Sequence, residues 1–112
     1  MTVGQICEKL RLKSLTGDVG MDREVKGAYV CDLLSWVMAH AHEGDAWITI
    51  QTHTNIVAVA TLIELSCIII PENAEIEDDT IKKAIEEGIP ILTSEQNAFM
   101  ICKNLISIGL GS

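Results

Sequence analysis

At 112 residues the chain fits one domain, residues 1–112, of a size that buries roughly two thirds of its unfolded surface and so supports an unaided core. Its hydrophobic content is 48% with only four aromatics, which predicts a core of Ile, Val, Leu and Ala. Sixteen acidic residues against eight basic ones give a net charge of −8, which argues against nucleic acid, because phosphate recognition needs a sizeable Lys/Arg patch and only Lys9, Arg11 and Lys13 cluster.

Thr2 and Gln5 form a capping-box pattern, and Val3, Ile6, Cys7 and Leu10 follow at helical spacing, so a helix is expected to start almost at Met1. Leu12 to Thr16 reads as a short strand and Gly17 to Gly20 as a turn-rich loop. A second strand is expected from Glu24 to Val30. Asp32 then stands where an N-cap belongs, ahead of a helix from Leu33 to His42 with Trp36 and His40 on one face. Ala46 to Gln51 is β-branched and aromatic, hence a strand. Ile56 to Leu65 favours a helix by its length and its Ala and Leu content, and its apolar character all round calls for cover on more than one side, part of which a second copy could supply. Cys67 to Ile70 is a continuous apolar run, as in a central parallel strand. Glu77, Asp78 and Asp79 open the next helix, with Ile81, Ala84 and Ile85 inward and Gly88 as C-cap. Ile89 to Leu92 is a last strand. Thr93 and Gln96 repeat the capping box before a helix from Ser94 to about Ile108, and Gly109 to Ser112 reads as a frayed tail. Alternation of this kind predicts a layered α/β domain: a mostly parallel, mixed sheet of about four to five strands joined by crossover helices.

Thr2 to Leu10 carries Glu8 and Lys9 and no long apolar run, so no secretory signal is expected, and no segment approaches the ~18 apolar residues of a membrane span. The expected location is the cytoplasm. Cys7, Cys31, Cys67 and Cys102 show no C-x-x-C spacing and read as buried reduced thiols, not as disulfides or metal ligands. His40 and His42 face different ways on a helix, so no metal site and no cofactor is expected. Phosphate-loop, dinucleotide and nucleophile-elbow patterns are missing, so no catalytic residue is assigned.

Open parallel sheets bind ligands beyond the carboxyl ends of their strands. Three such ends can be named: Gln51 to Asn55, Pro71 to Asn73, and Thr93 to Glu95. The first is richest in hydrogen-bonding side chains and leads into a helix N-terminus, so Gln51, His53, Thr54 and Asn55 are candidate ligand residues. Their structural alternative is that Thr54 or Asn55 caps the helix and His53 is exposed. Asp22 and Arg23 are the other candidates. Arg23 could hold a phosphate or carboxylate through both guanidinium edges, or pair with Asp22 to fix the loop. Gly27 fits either close backbone approach to a ligand or tight packing. Arg23 and the loop at His53 are expected to face each other, within one chain or across a dimer.

Asp22-Arg23, Gly27-Ala28-Tyr29, Asp32 to Ser35, Glu43 to Gln51 and Asn55 to Ala60, in that order and spacing, resemble the DRTGG-domain family over essentially the whole chain. Of the Asp-Arg-Thr-Gly-Gly run that names the family only Asp22-Arg23 is kept, with Glu24-Val25-Lys26 before Gly27-Ala28. Such domains accompany CBS domains in regulated pyrophosphatases and resemble the N-terminal domain of HPr kinase. The resemblance implies a stand-alone, non-catalytic, regulatory or ligand-sensing module that dimerises. With the polar strand ends it predicts a small anionic ligand, a nucleotide among the candidates, and a partner enzyme or regulator among the possible clients. Two other readings stay open: an interaction and dimerisation domain with no small ligand, and a small enzyme of unknown reaction.

Overall fold

The computed structural model describes residues 1–110. Helix α1 (Val3–Leu10) starts as its capping box dictates: the Gln5 amide donates to Thr2 Oγ1 at 3.2 Å, and the Thr2 amide donates to Gln5 Oε1 at 2.8 Å. It ends at Arg11, which adopts the left-handed conformation (φ 55°) while its neighbour's amide bonds back to Cys7. After a two-residue strand β1 (Lys13–Ser14) the chain alternates: β2 (Gly27–Val30), α2 (Leu34–His40), β3 (Asp45–Ile48), α3 (Asn55–Leu62), β4 (Cys67–Ile70), α4 (Asp78–Glu87), β5 (Ile91–Thr93) and α5 (Ala98–Ser107). The five strands form one mixed sheet in the order β1-β5-β4-β3-β2, parallel except for β1, which runs antiparallel to β5. The layered α/β architecture is the one the alternation predicts.

Each face of the sheet has its own aliphatic core. Val37, Trp47, Ile56, Val57, Ala60, Ile68, Ile70, Ala84 and Ile91 pack together, which places α2, α3 and α4 on one face. Val3, Ile6, Ala46, Ile48, Cys67, Ile69, Leu92, Ile101 and Leu105 form the other core, beneath α1 and α5. Alternate residues of β4 thus feed opposite cores, as the two-residue period of a strand requires. The indole of Trp47 donates to the Cys31 carbonyl at 2.8 Å, so its one polar atom is satisfied.

Several local expectations are corrected. Asp32 does not cap α2; Leu33 holds that position, and the Asp32 carboxylate turns across to the end of β3, where the Thr49 hydroxyl (2.8 Å) and the Ile50 amide (2.9 Å) donate to it. The Ile50 amide lies past the end of β3 and the Thr49 hydroxyl beside it, and the Asp32 carboxylate satisfies both instead of the helix terminus. The Thr93–Gln96 capping box is not formed, because Thr93 belongs to β5 and pairs with Lys13; Asn97 caps α5 instead, accepting from the Met100 amide at 2.9 Å. Helix α3 packs between α2 and α4 on the sheet, which covers Ile56, Val57, Val59 and Ala60 within one chain, and Leu62 is left largely exposed. On α4, Ile85 faces outward and Thr80 takes its place inside. Leu110 is buried with its amide on Leu105, so it is not a frayed end; Gly111 and Ser112 lie outside the described residues.

The four cysteines are free. Burial in the middle of the sheet pushes the Cys67 thiol from the ordinary 9.0 up to about 12. An unfolded chain therefore ionises this thiol at lower pH than the folded one. The contribution is fully present below pH 9 and is lost as pH rises towards 12, so stability falls across that window. Urea midpoints measured from pH 7 to 11 should decline less steeply for Cys67→Ala than for the parent, and Cys67 should be the last thiol to react with maleimide under native conditions.

Candidate functional site

The expected ligand residues fall into two groups at opposite ends of the sheet. Asp22, Arg23 and Gly27 lie at the amino ends of the parallel strands. The segment holding Asp22 and Arg23 pairs with the N-terminus: Val3 donates to the Arg23 carbonyl, Val25 donates to the Met1 carbonyl, and Thr2 bridges Glu24. The Arg23 guanidinium donates to the Leu65 carbonyl at 3.0 Å, just before β4. Arg23 is thus tied to β4 through a backbone acceptor and makes no ion pair with Asp22, which is exposed. The concavity around it, about 500 Å³, is lined by Glu24, Glu43, Glu64 and Glu87 against Arg23 and Lys26, so its field opposes an anion. Gly27 faces the Asp45 carboxylate, and a Cβ there would stand 2.9 Å from Asp45 Oδ1. That carboxylate is buried and accepts from the His42 amide at 2.8 Å, so Gly27 makes room for a fixed side chain.

Gln51, His53, Thr54 and Asn55 lie at the carboxyl ends, one strand length of about 13 Å away. Within one chain Arg23 and the His53 loop therefore do not face each other. The β3–α3 loop is largely bonded to its own surroundings. Gln51 Nε2 donates to the Asp32 carbonyl at 3.0 Å, the His53 ring pairs with Glu77, and the Thr80 hydroxyl donates to the Thr52 carbonyl at 2.8 Å. Thr54 holds the cap position of α3 without a side-chain cap bond. With Asn55 it lines an open groove of about 530 Å³ between α3 and α4, whose charges, Asp79 and Glu86 against Lys82 and Lys83, balance. A smaller hollow of about 190 Å³ at the ends of β2, β3 and β4 contains Asp32 and Glu72 and no cation.

A third concavity arises from the one antiparallel pair. Because Lys13 lies opposite Thr93 and Ser14 opposite Leu92, the residues just before β1 run beside those just after β5. Lys9, Leu10 and Arg11 thereby meet Ser94, Glu95 and Gln96, and α5 closes the cleft with Asn104, Ser107 and Ile108, enclosing about 490 Å³. Its wall is held in place: the Glu72 amide donates to the Gln96 carbonyl and the Asn73 amide to the Ser94 carbonyl (both 2.9 Å), and Asn104 Nδ2 donates to Gln96 Oε1 at 2.8 Å. Lys9 and Arg11 were visible as a small basic cluster, and Ser94 as part of a strand end. Only the β1–β5 pairing joins them, and nothing local in the sequence announces it.

No group of three His, Cys, Asp or Glu side chains that could hold a metal occurs among the described residues, and no described helix is long and apolar enough to cross a membrane. The elements define a three-layered α/β domain with polar recesses at both ends of an open sheet. The chain belongs to the DRTGG-domain family, whose family model, DRTGG domain, matches residues 5–108. A similar solved structure is the crystal structure of the CBS and DRTGG domains of the regulatory region of Clostridium perfringens pyrophosphatase, complexed with the activator diadenosine tetraphosphate. The two superpose with a TM-score of 0.69 at 14% identity, over 94% of this chain and 46% of that one, so this chain spans less than half of its length. No curated protein is significantly similar in sequence.

Two substitutions separate architecture from binding here. Gly27→Ala should cost about 1–3 kcal/mol in urea unfolding, because the new methyl group collides with a carboxylate that cannot move without losing its bond. Asp32→Ala should cost about 1–3 kcal/mol by orphaning the Thr49 and Ile50 donors, with much of the loss restored in Asp32→Asn.

Proposed function

We propose that this domain is a regulatory module of the cytoplasm that senses a small anionic ligand, a nucleotide among the candidates, and works as a homodimer without catalysing a reaction. The observation that carries the reading is the family membership over residues 5–108, joined to the likeness in fold to the regulatory region of a pyrophosphatase complexed with a nucleotide activator. The geometry adds support. The polar recesses at the sheet ends suit ligand contacts, Cys67 is buried with its thiol held protonated, and the His53 ring is engaged by Glu77. Four free cysteines suit a reducing compartment.

Dimerisation has its own observation. Two copies carrying −8 each repel, so they associate best through a face without charge. Helix α2, LSWVMAH, carries no Asp, Glu, Lys or Arg, yet Leu33, Trp36 and Met38 are exposed on or beside it, and Trp36 is stacked on His40 at 4.1 Å. Beside it β2 is the edge of the sheet, with Val30 exposed. The same face also favours the second reading, an interaction domain with no small ligand.

Thermal unfolding against a panel of nucleotides and phosphorylated or carboxylated metabolites tests the first reading. A ligand that binds only the folded state at about 100 times its Kd adds about 2.7 kcal/mol, a rise of several degrees in Tm. No rise with any member of the panel at millimolar concentration would overturn ligand sensing and leave the interaction reading. Sedimentation should show a dimer that Trp36→Asp converts to monomer without loss of helical signal; a parent monomer at high micromolar concentration would overturn dimerisation.

A further inference from the structure

The geometry points to the cleft between the end of α1 and α5 as the binding site for a phosphorylated metabolite of mononucleotide size, its phosphate held by Lys9 and Arg11. This assignment rests on the ligand-sensing reading above and gives it a place. Carboxylates outnumber cations two to one in this chain, and Lys26 and Lys83 are paired with Glu43 and Glu87. Lys9 and Arg11, like Lys13, Lys82 and Lys103, make no ion pair among the described residues, and these two share the wall of one recess. Two cations against the single carboxylate of Glu95 give this recess a formal charge of +1, set against the C-terminal ends of α1 and α5 that also line it, whereas the recess around Arg23 is net negative and the α3–α4 groove is balanced. Lys9, in the last turn of α1, also offsets the partial negative charge of the helix end. A row of neutral polar groups shares the recess with these two cations.

Those neutral groups fit the rest of such a ligand. Ser94 is buried, its hydroxyl accepts the Gln96 amide at 3.0 Å, and its own proton has no acceptor among the described residues. Gln96 and Asn104 bond each other at the exposed rim, which orients the two amides. Prior positioning of this kind lowers the ordering cost of binding. The recess also sits beyond the carboxyl end of β5, where an open parallel sheet places ligands.

The test is a titration of the ¹⁵N-labelled full chain with ATP in EDTA, with AMP, inorganic tripolyphosphate and diadenosine tetraphosphate as further probes. The expected result is saturable shifts of the Arg11, Ser94, Gln96 and Asn104 amides with at least one nucleotide. A Lys9→Gln/Arg11→Gln double variant should weaken binding at least tenfold, and Arg11→Lys should keep part of it. Arg23→Gln should change affinity less than twofold. Lys9 and Arg11 are exposed, Arg23 is half-buried, and circular dichroism checks that each variant folds. Shifts centred on Gln51 to Asn55 or on Arg23 would overturn the cleft assignment and leave the sensing reading standing. Silence with all four probes would also overturn the assignment. The sensing reading itself then falls only if the wider metabolite panel gives no thermal shift either.

Discussion

The constraint on which the structure depends is the burial of β4 on both faces. Cys67, Ile68, Ile69 and Ile70 are fully inaccessible, and they alternate between two cores. A strand with apolar side chains on both faces is stable only under two helical layers. The crossovers β2–α2–β3, β3–α3–β4 and β4–α4–β5 all return on one face, so the other must be covered by segments outside the repeating pattern. Helices α1 and α5, from the two ends of the chain, do this, and they touch each other there. The antiparallel strand β1 follows from that arrangement, since the chain leaving α1 reaches the sheet at the β5 edge.

With both faces covered, chemistry is confined to the two ends of the strands and the two lateral edges. The ends differ in charge. At the amino end four glutamates surround Arg23, whose guanidinium donates one hydrogen bond to the Leu65 carbonyl. At the carboxyl end the β3 loop spends its polar groups on Asp32, Glu77 and Thr80. An arginine beside an aspartate, read in isolation, cannot reveal that one of its acceptors lies forty-two residues away.

What the sequence made legible was whatever local periodicity and composition determine. The capping box at Thr2, the buried run at Cys67, the Gly88 cap of α4 and the alternation that implies a mixed, mostly parallel sheet all stand in the structure. What it hid was competition between local and distant partners. Asp32 is a good N-cap by type, but the end of β3 takes its carboxylate; Thr93 is a good N-cap by type, but the sheet takes its backbone. The recess lined by Lys9, Arg11 and Ser94 was illegible for the same reason, since its two walls are some eighty residues apart in sequence and adjacent only through the β1–β5 register.

The order of the strands also determines how a ligand at this recess could reach a partner. Strands β1 and β2 are the two lateral edges, so the recess beside β1 and the uncharged face beside β2 lie on opposite flanks of the sheet. A dimer through β2 and α2 would leave the recess open, and no ligand could bridge the two copies there. Helix α5 spans the gap between them. Asn104, Ser107 and Ile108 line the recess, while Cys102, Leu105 and Ile106 line an apolar groove of about 220 Å³ with Ala28 and Val30 of β2. Residues facing the two flanks thus stand on one helix.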